Sequence, residues 1–328
     1  MRCRRFWMVR HKSQSAVYAQ MAGALQITDH VSRITFHVSV VMTKPIIEEP
    51  VERQTADQAL MAELFEAIGF EVADERSYNL LVEYVENNGH RTRVDRGDAA
   101  LHGRCWKVGD GLEVWSVLYE KGADLYYADC RPAFRSRYVR TIGPWELIEY
   151  DEDGEAIVRG SLDGTTEVIF ELQNLTELDD AVFRDLHMHV ALAGIAYAAR
   201  VRANPAAEQP PNKPFYRFEL AERMEGFADK SCENDYVVSG RVLAWRNIRN
   251  PVTTADLIWI YVDAGAMRLE VLANRRILRG QLKIGAEITA NIWLQGHVLE
   301  ESDISARYEG VDQEYELADF WAGLRRGN

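Results

Sequence analysis

Leu257-Ile-Trp-Ile-Tyr-Val-Asp263, Met267-Arg-Leu-Glu-Val-Leu272 and Ala286-Glu-Ile-Thr-Ala-Asn-Ile-Trp-Leu-Gln-Gly-His-Val-Leu299 decide the fold. Each run has the two-residue period of a strand, whose successive side chains point to opposite faces. Ala264-Gly-Ala266 reads as a tight reversal between the first two. One face collects Ile258, Ile260 and Val262, then Met267, Leu269 and Val271, then Ile288, Ala290, Ile292 and Leu294. These residues are the expected core. The opposite face carries Trp259, Tyr261, Arg268, Glu270, Asn291, Trp293, Gln295 and His297. That face is polar and yet holds large rings.

Working outward, Tyr236-Val-Val-Ser-Gly-Arg-Val-Leu-Ala-Trp245 adds another strand. Asn250 to Asp256 is a loop, with Pro251 removing a donor. Gly280 and Gly285 punctuate the stretch before the last strand. Short strands with glycines at the bends, over Tyr236–Glu300, resemble an OB-fold domain, a small five-stranded barrel. The run Ile292–Leu299, following Ile284-Gly285, also resembles the end of a bacterial protein family of unknown function, which lends no activity. The OB resemblance implies a binding face on the outer side of strands two and three, for single-stranded nucleic acid or sugar. Trp259, Tyr261 and Arg268 would stand there, joined by Trp293, Trp245 and Arg246. The same face has a plainer reading, as a surface packed against the rest of the chain.

Upstream, Thr55 to Ile68 is expected as a helix with Leu60, Leu64, Phe65 and Ile68 on its apolar stripe and Gly69 as its stop. Ser77 to Asn87 is a second helix, with Leu80, Leu81, Tyr84 and Val85 as its buried side. Strands follow at 111–119, 124–130, 144–150, 156–159 and 165–172, the middle pair joined by the acidic turn Asp151–Gly154. Asn174 to Arg202 reads as a short helix and then a strand. Residues 203–214 hold Pro205, Pro210, Pro211 and Pro214 and read as a linker. The expected class is α+β, mostly antiparallel β. Residues 1–41 form an extension and 42–202 a domain of helical cap plus sheet. After the linker, 215–301 form the OB-like barrel. Residues 302–328 form a tail with a helix at Glu314–Arg325.

Composition narrows the function. A formal net charge of −13 disfavours non-specific binding to nucleic acid or anionic membrane. The stretch 233–301 is nearly neutral, and its basic residues gather at 246–249 and 275–283, which keeps an anionic ligand possible. The four cysteines have neither disulfide-framework nor metal-ligand spacing, as in a reducing cytoplasm. Residues 1–41 carry six of the 38 Lys and Arg but one of the 51 Asp and Glu. That break, and the repeated His-Val-Ser at 30–32 and 37–39, suggests that the functional chain starts at Met42. A native peptide ending before Met42 would refute it.

Chemical motifs are sparse. His187 and His189 share one face of a strand, the sole pattern that suggests zinc. Beyond residue 42 only His90, His102 and His297 remain as further imidazoles, without patterned partners. Asp151–Glu155 lacks the glycine and glutamate of a calcium loop, since Ala156 and Leu162 stand there. No cofactor motif is present. The leading expectation is a non-enzymatic cytoplasmic binding module, contacting a protein partner or a second copy through Trp259, Tyr261, Trp293 and Arg268. Weak single-stranded nucleic-acid binding by that face, and a metal hydrolase at His187 and His189, are the alternatives.

Overall fold

The computed structural model describes residues 46–47, 63–150, 154–179, 182, 186–202, 215–221 and 234–299. The expected extension, linker and tail helix, and Leu60, lie outside them.

The strands in chain order are β1 (Ile46–Ile47), β2 (His90–Arg96), β3 (Ala99–Gly109), β4 (Leu112–Lys121), β5 (Asp124–Phe134), β6 (Val139–Tyr150), β7 (Glu155–Leu162) and β8 (Thr166–Leu172). They continue as β9 (Met188–Val201), β10 (Arg217–Leu220), β11 (Asp235–Arg249), β12 (Asp256–Asp263), β13 (Arg268–Asn274), β14 (Leu278–Arg279) and β15 (Glu287–Leu299). The chain is mostly β, and most neighbouring strands run antiparallel. Residues 63–67 are helical and turn off at Gly69, whose φ of +89° suits glycine. Helix α1 (Glu75–Asn88) starts in a capping box: Asp74 Oδ1 accepts from Ser77 N at 2.8 Å, and Ser77 Oγ accepts from Asp74 N at 3.1 Å. Its buried stripe is Tyr78, Leu81, Val82 and Val85. The expected stripe was displaced by one flank. Leu80 is 57% and Tyr84 48% exposed, Tyr84 leaning on Trp106 at the helix edge.

Two sheets form. The first has the order β1-β5-β4-β3-β2. Its strands β2 and β3 escaped the sequence reading because His90–Arg96 is too polar to alternate visibly. Among the described residues the second sheet holds ten strands: nine follow the order β10-β11-β12-β13-β9-β15-β8-β7-β6, β14 pairs with β9 off this path, and pairings β11–β15 and β9–β6 close the sheet on itself twice. One ring is β11-β12-β13-β9-β15 and the other is β6-β7-β8-β15-β9. They share β9 and β15. Each ring has one parallel pair, β13–β9 in the first and β8–β15 in the second. The runs β6-β7-β8-β9 and β11-β12-β13-β15 therefore play equivalent parts: three strands paired in succession, then a long shared one.

Alternation placed the core correctly. Ile258, Ile260, Val262, Met267, Leu269, Val271, Ile288, Ala290, Ile292 and Leu294 all lie in the main buried cluster. The self-contained module did not survive. β9 lies before the proline-rich segment, yet twelve residues of β15 pair with it, and β13 and β14 flank it on the other side. The sheet thus runs continuously across the expected boundary at 203–214. Small residues let β9 lie between two rings: it reads Ala191, Ala193, Gly194, Ala196. A Cβ at Gly194 would lie 2.6 Å from Ile292 Cδ1.

Candidate functional site

The aromatic face of β12, β13 and β15 is an internal interface. Trp259, Tyr261 and Trp293 are each at most 2% exposed. They form a second buried cluster with Leu64, Phe65 and Ile68, with Tyr78 of α1, and with Val114 and Phe134 of the first sheet. Tyr138 stacks on Tyr261 at 4.6 Å between ring centroids, and Trp293 Nε1 donates to Glu171 at 3.1 Å. The physical reason is area. Rings of this size bury about 150–250 Å² each, worth roughly 25 cal/mol per Å², and the first sheet supplies the apolar surface to cover them.

The polar residues between these rings are absorbed by the same interface. Glu270 accepts from Arg137 N at 2.8 Å, and burial pushes its carboxyl above the usual range. Gln295 Oε1 accepts from Gln173 Nε2 at 2.8 Å, while its Nε2 donates to Pro132 O at 3.0 Å. His297 contacts Arg135, and Glu177 lies 3.8 Å away. Of the other expected contact residues, Trp245 is half-buried on the main core. Arg246 sits over the Trp259 ring at 5.7 Å and faces Asp110 at 3.6 Å. Arg268 is exposed, and its carbonyl accepts from Arg140. The six residues therefore do not form one accessible surface. His187 is exposed and His189 half-buried, and among the described residues no three His, Cys, Asp or Glu side chains gather as a metal site.

A different surface holds the convergent polar groups. On the outside of the shared strands, a cavity of about 730 Å³ is lined by Tyr197, Ala198, Arg200 and Arg202 of the β9 segment and by Thr289 and Asn291 of β15. Arg276, Ile277 and Arg279 complete it from the β13–β14 segment. Register explains the convergence. Thr289 pairs with Arg200, which pairs with Arg279, while Ser239 stands on the far side of Thr289. The four residues make one cross-strand row, and Ser239 and Thr289 share a hydroxyl hydrogen bond of 2.9 Å. Because Ala199, Val201, Ile288 and Ala290 point into the core, Arg200 and Thr289 must point out.

The electrostatics of the row are unusual. Like charges directly opposite on adjacent strands repel, and Arg200 and Arg279 are such partners. Arg202, two residues further along the chain than Arg200, meets Glu287 at 3.4 Å and lies over Phe215 at 5.6 Å. Arg276 reaches Glu71 at 2.7 Å and Glu66 at 3.5 Å. Arg279 makes no ion pair among the described residues. Four arginines thus line one cavity of a protein with net charge −13. No protein-family model and no curated protein matches the chain. The cluster at 275–283 was visible in the sequence. Arg200 and Arg202 were not singled out, though their spacing of two, at the end of a strand rich in small and apolar residues, marks one outward face.

Proposed function

We propose that this protein is a non-enzymatic binding module whose ligand is anionic and occupies the arginine-lined cavity. The observation that carries the reading is the in-register pair Arg200 and Arg279, beside the hydroxyl of Thr289. An anion between the two guanidiniums would accept charge-assisted hydrogen bonds from both. The scaffold is in our reading a pair of OB-type barrels fused through two common strands. Each ring has the strand number of that fold. In the second half of the chain, β11 pairs with β15 through its first part and with β12 through its second, the bend a small barrel needs to close.

The working compartment is a reducing cytoplasm in this reading. Cys105 and Cys130 are buried free thiols, and burial pushes both well above the usual thiol range, as suits inert core residues. Single-stranded nucleic acid stacked on Trp259, Tyr261 and Trp293 is the weaker reading, since those rings are covered.

Thermal shift with inorganic tripolyphosphate tests the proposal. The wild type should be stabilised saturably, less so at higher salt, and the Arg200→Ala/Arg279→Ala variant should show no shift. Equal shifts in both proteins would remove the cavity from the mechanism.

A further inference from the structure

The arginine-lined cavity constrains the size and shape of its ligand as well as its charge. Its volume of about 730 Å³ lies within the range of small-molecule sites, about 300–1,000 Å³. The positive charge is also bounded. Glu287 stands beside Arg202 on one flank, and Glu66 and Glu71 stand beside Arg276 on another. A strand of repeating phosphates extended beyond the cavity would meet these carboxylates, and the acidic protein around them. The rest of the lining is not ionic. Ile277, Ala198 and the ring of Tyr197 give an apolar wall, while Thr289 and Asn291 offer hydrogen bonds to neutral oxygen or nitrogen.

We infer that the ligand is a compact organic phosphate of nucleotide size, its phosphates held by Arg200 and Arg279 and its uncharged part lying toward Tyr197, Ile277 and Asn291. This rests on the cavity being the binding site. It adds that the bound species is a free small molecule and not a nucleic-acid strand. Arginine suits the phosphate end because its planar fork engages two oxygens at once.

Isothermal titration of the full chain with three probes separates the possibilities: ATP, inorganic tripolyphosphate, and a single-stranded oligothymidylate of about ten nucleotides. Each is run at about 50 mM and about 200 mM salt. ATP should bind one per chain, and at least about tenfold more tightly than tripolyphosphate or the oligonucleotide. Arg279 is exposed, so Arg279→Ala should leave the fold intact while weakening both ATP and tripolyphosphate by about tenfold or more. Asn291→Leu should weaken ATP and leave tripolyphosphate unchanged. Tripolyphosphate binding as tightly as ATP would overturn the organic part of the ligand. An oligonucleotide binding more tightly than ATP, with a steep salt dependence, would overturn the small-molecule assignment while keeping an anionic site. Binding of none of the three would overturn both this inference and the anionic reading beneath it.

Discussion

Trp259 sits between Ile258 and Ile260, whose side chains enter the main core, and its own indole is buried on the other side against the first sheet and the cap. Both faces of β12 are therefore structural. Trp259→Ala should cost about 3–5 kcal/mol, the usual loss for emptying a buried indole site. Chemical denaturation should report that loss, and tripolyphosphate affinity at low temperature should not change. A variant of unaltered stability would mean that the ring is not packed. Glu270 makes a second prediction on the same face. Its carboxyl is raised by burial, so the folded state holds its proton to higher pH than the unfolded state does. The contribution to stability is then complete below the ordinary carboxylate value and is lost as pH rises through the raised folded value. Glu270→Gln keeps an acceptor for Arg137 N without the charge. From about pH 5 to about pH 8 the melting temperature of the variant should gain on that of the wild type. A gap that moves the other way would show the ionised carboxylate to be favoured by its surroundings.

β11 is the element on which ring closure turns. It pairs with β15 as far as Arg241 and with β12 from Arg241 onward. Gly240 stands at that change of partner, and a Cβ there would lie 2.1 Å from the carbonyl oxygen of Asp263. Backbone cannot swing aside as a flexible side chain can. Gly240→Ala should cost about 1–3 kcal/mol or more, the range for overpacking a tight site. Gly285 gives the contrast, since its φ is +81° but nothing lies near its Cβ. Gly285→Ala should cost about 1 kcal/mol, from backbone strain alone. Equal costs in urea denaturation would place no crowding at the bend. α1 teaches the same lesson about direction. The apolar residues of Ser77–Asn87 were found by periodicity, but Leu80 and Tyr84 fell outside the buried stripe. Periodicity fixes which residues share a face, and the partner surface selects which face is covered.

At the scale of the whole molecule, the shared strands make the two halves of the sheet interdependent. Residues 215–301 contain β10 to β15 but not β9, whose Ala196, Ala199 and Val201 belong to the main core. That fragment should give a poorly dispersed amide spectrum in solution, whereas the full chain should melt in a single calorimetric transition. A well-dispersed spectrum of the fragment would show that the ring closes without β9. The acidic surface bears on the cavity at this scale too. With net charge −13, long-range attraction of anions is weak, so recognition must come from the local arrangement of arginines.

The sequence by itself determined what depends on near neighbours. Alternation over 257–272 and 286–299 identified ten core residues correctly, turn chemistry located the β4–β5 and β6–β7 hairpins, and Gly69 marked a helix stop. The basic cluster at 275–283 was equally legible. Only the tertiary structure decided the long-range questions. It seated β9 between β13 and β15, covered Trp259, Tyr261 and Trp293 with a sheet formed far earlier in the chain, and set Arg200 beside Arg279. The reason is physical: side-chain period is a local property of the backbone, whereas strand order is settled by which distant apolar and hydrogen-bonding surfaces satisfy one another. A two-residue period shows that a residue faces outward from its own strand. It does not show what else in the chain will come to cover it.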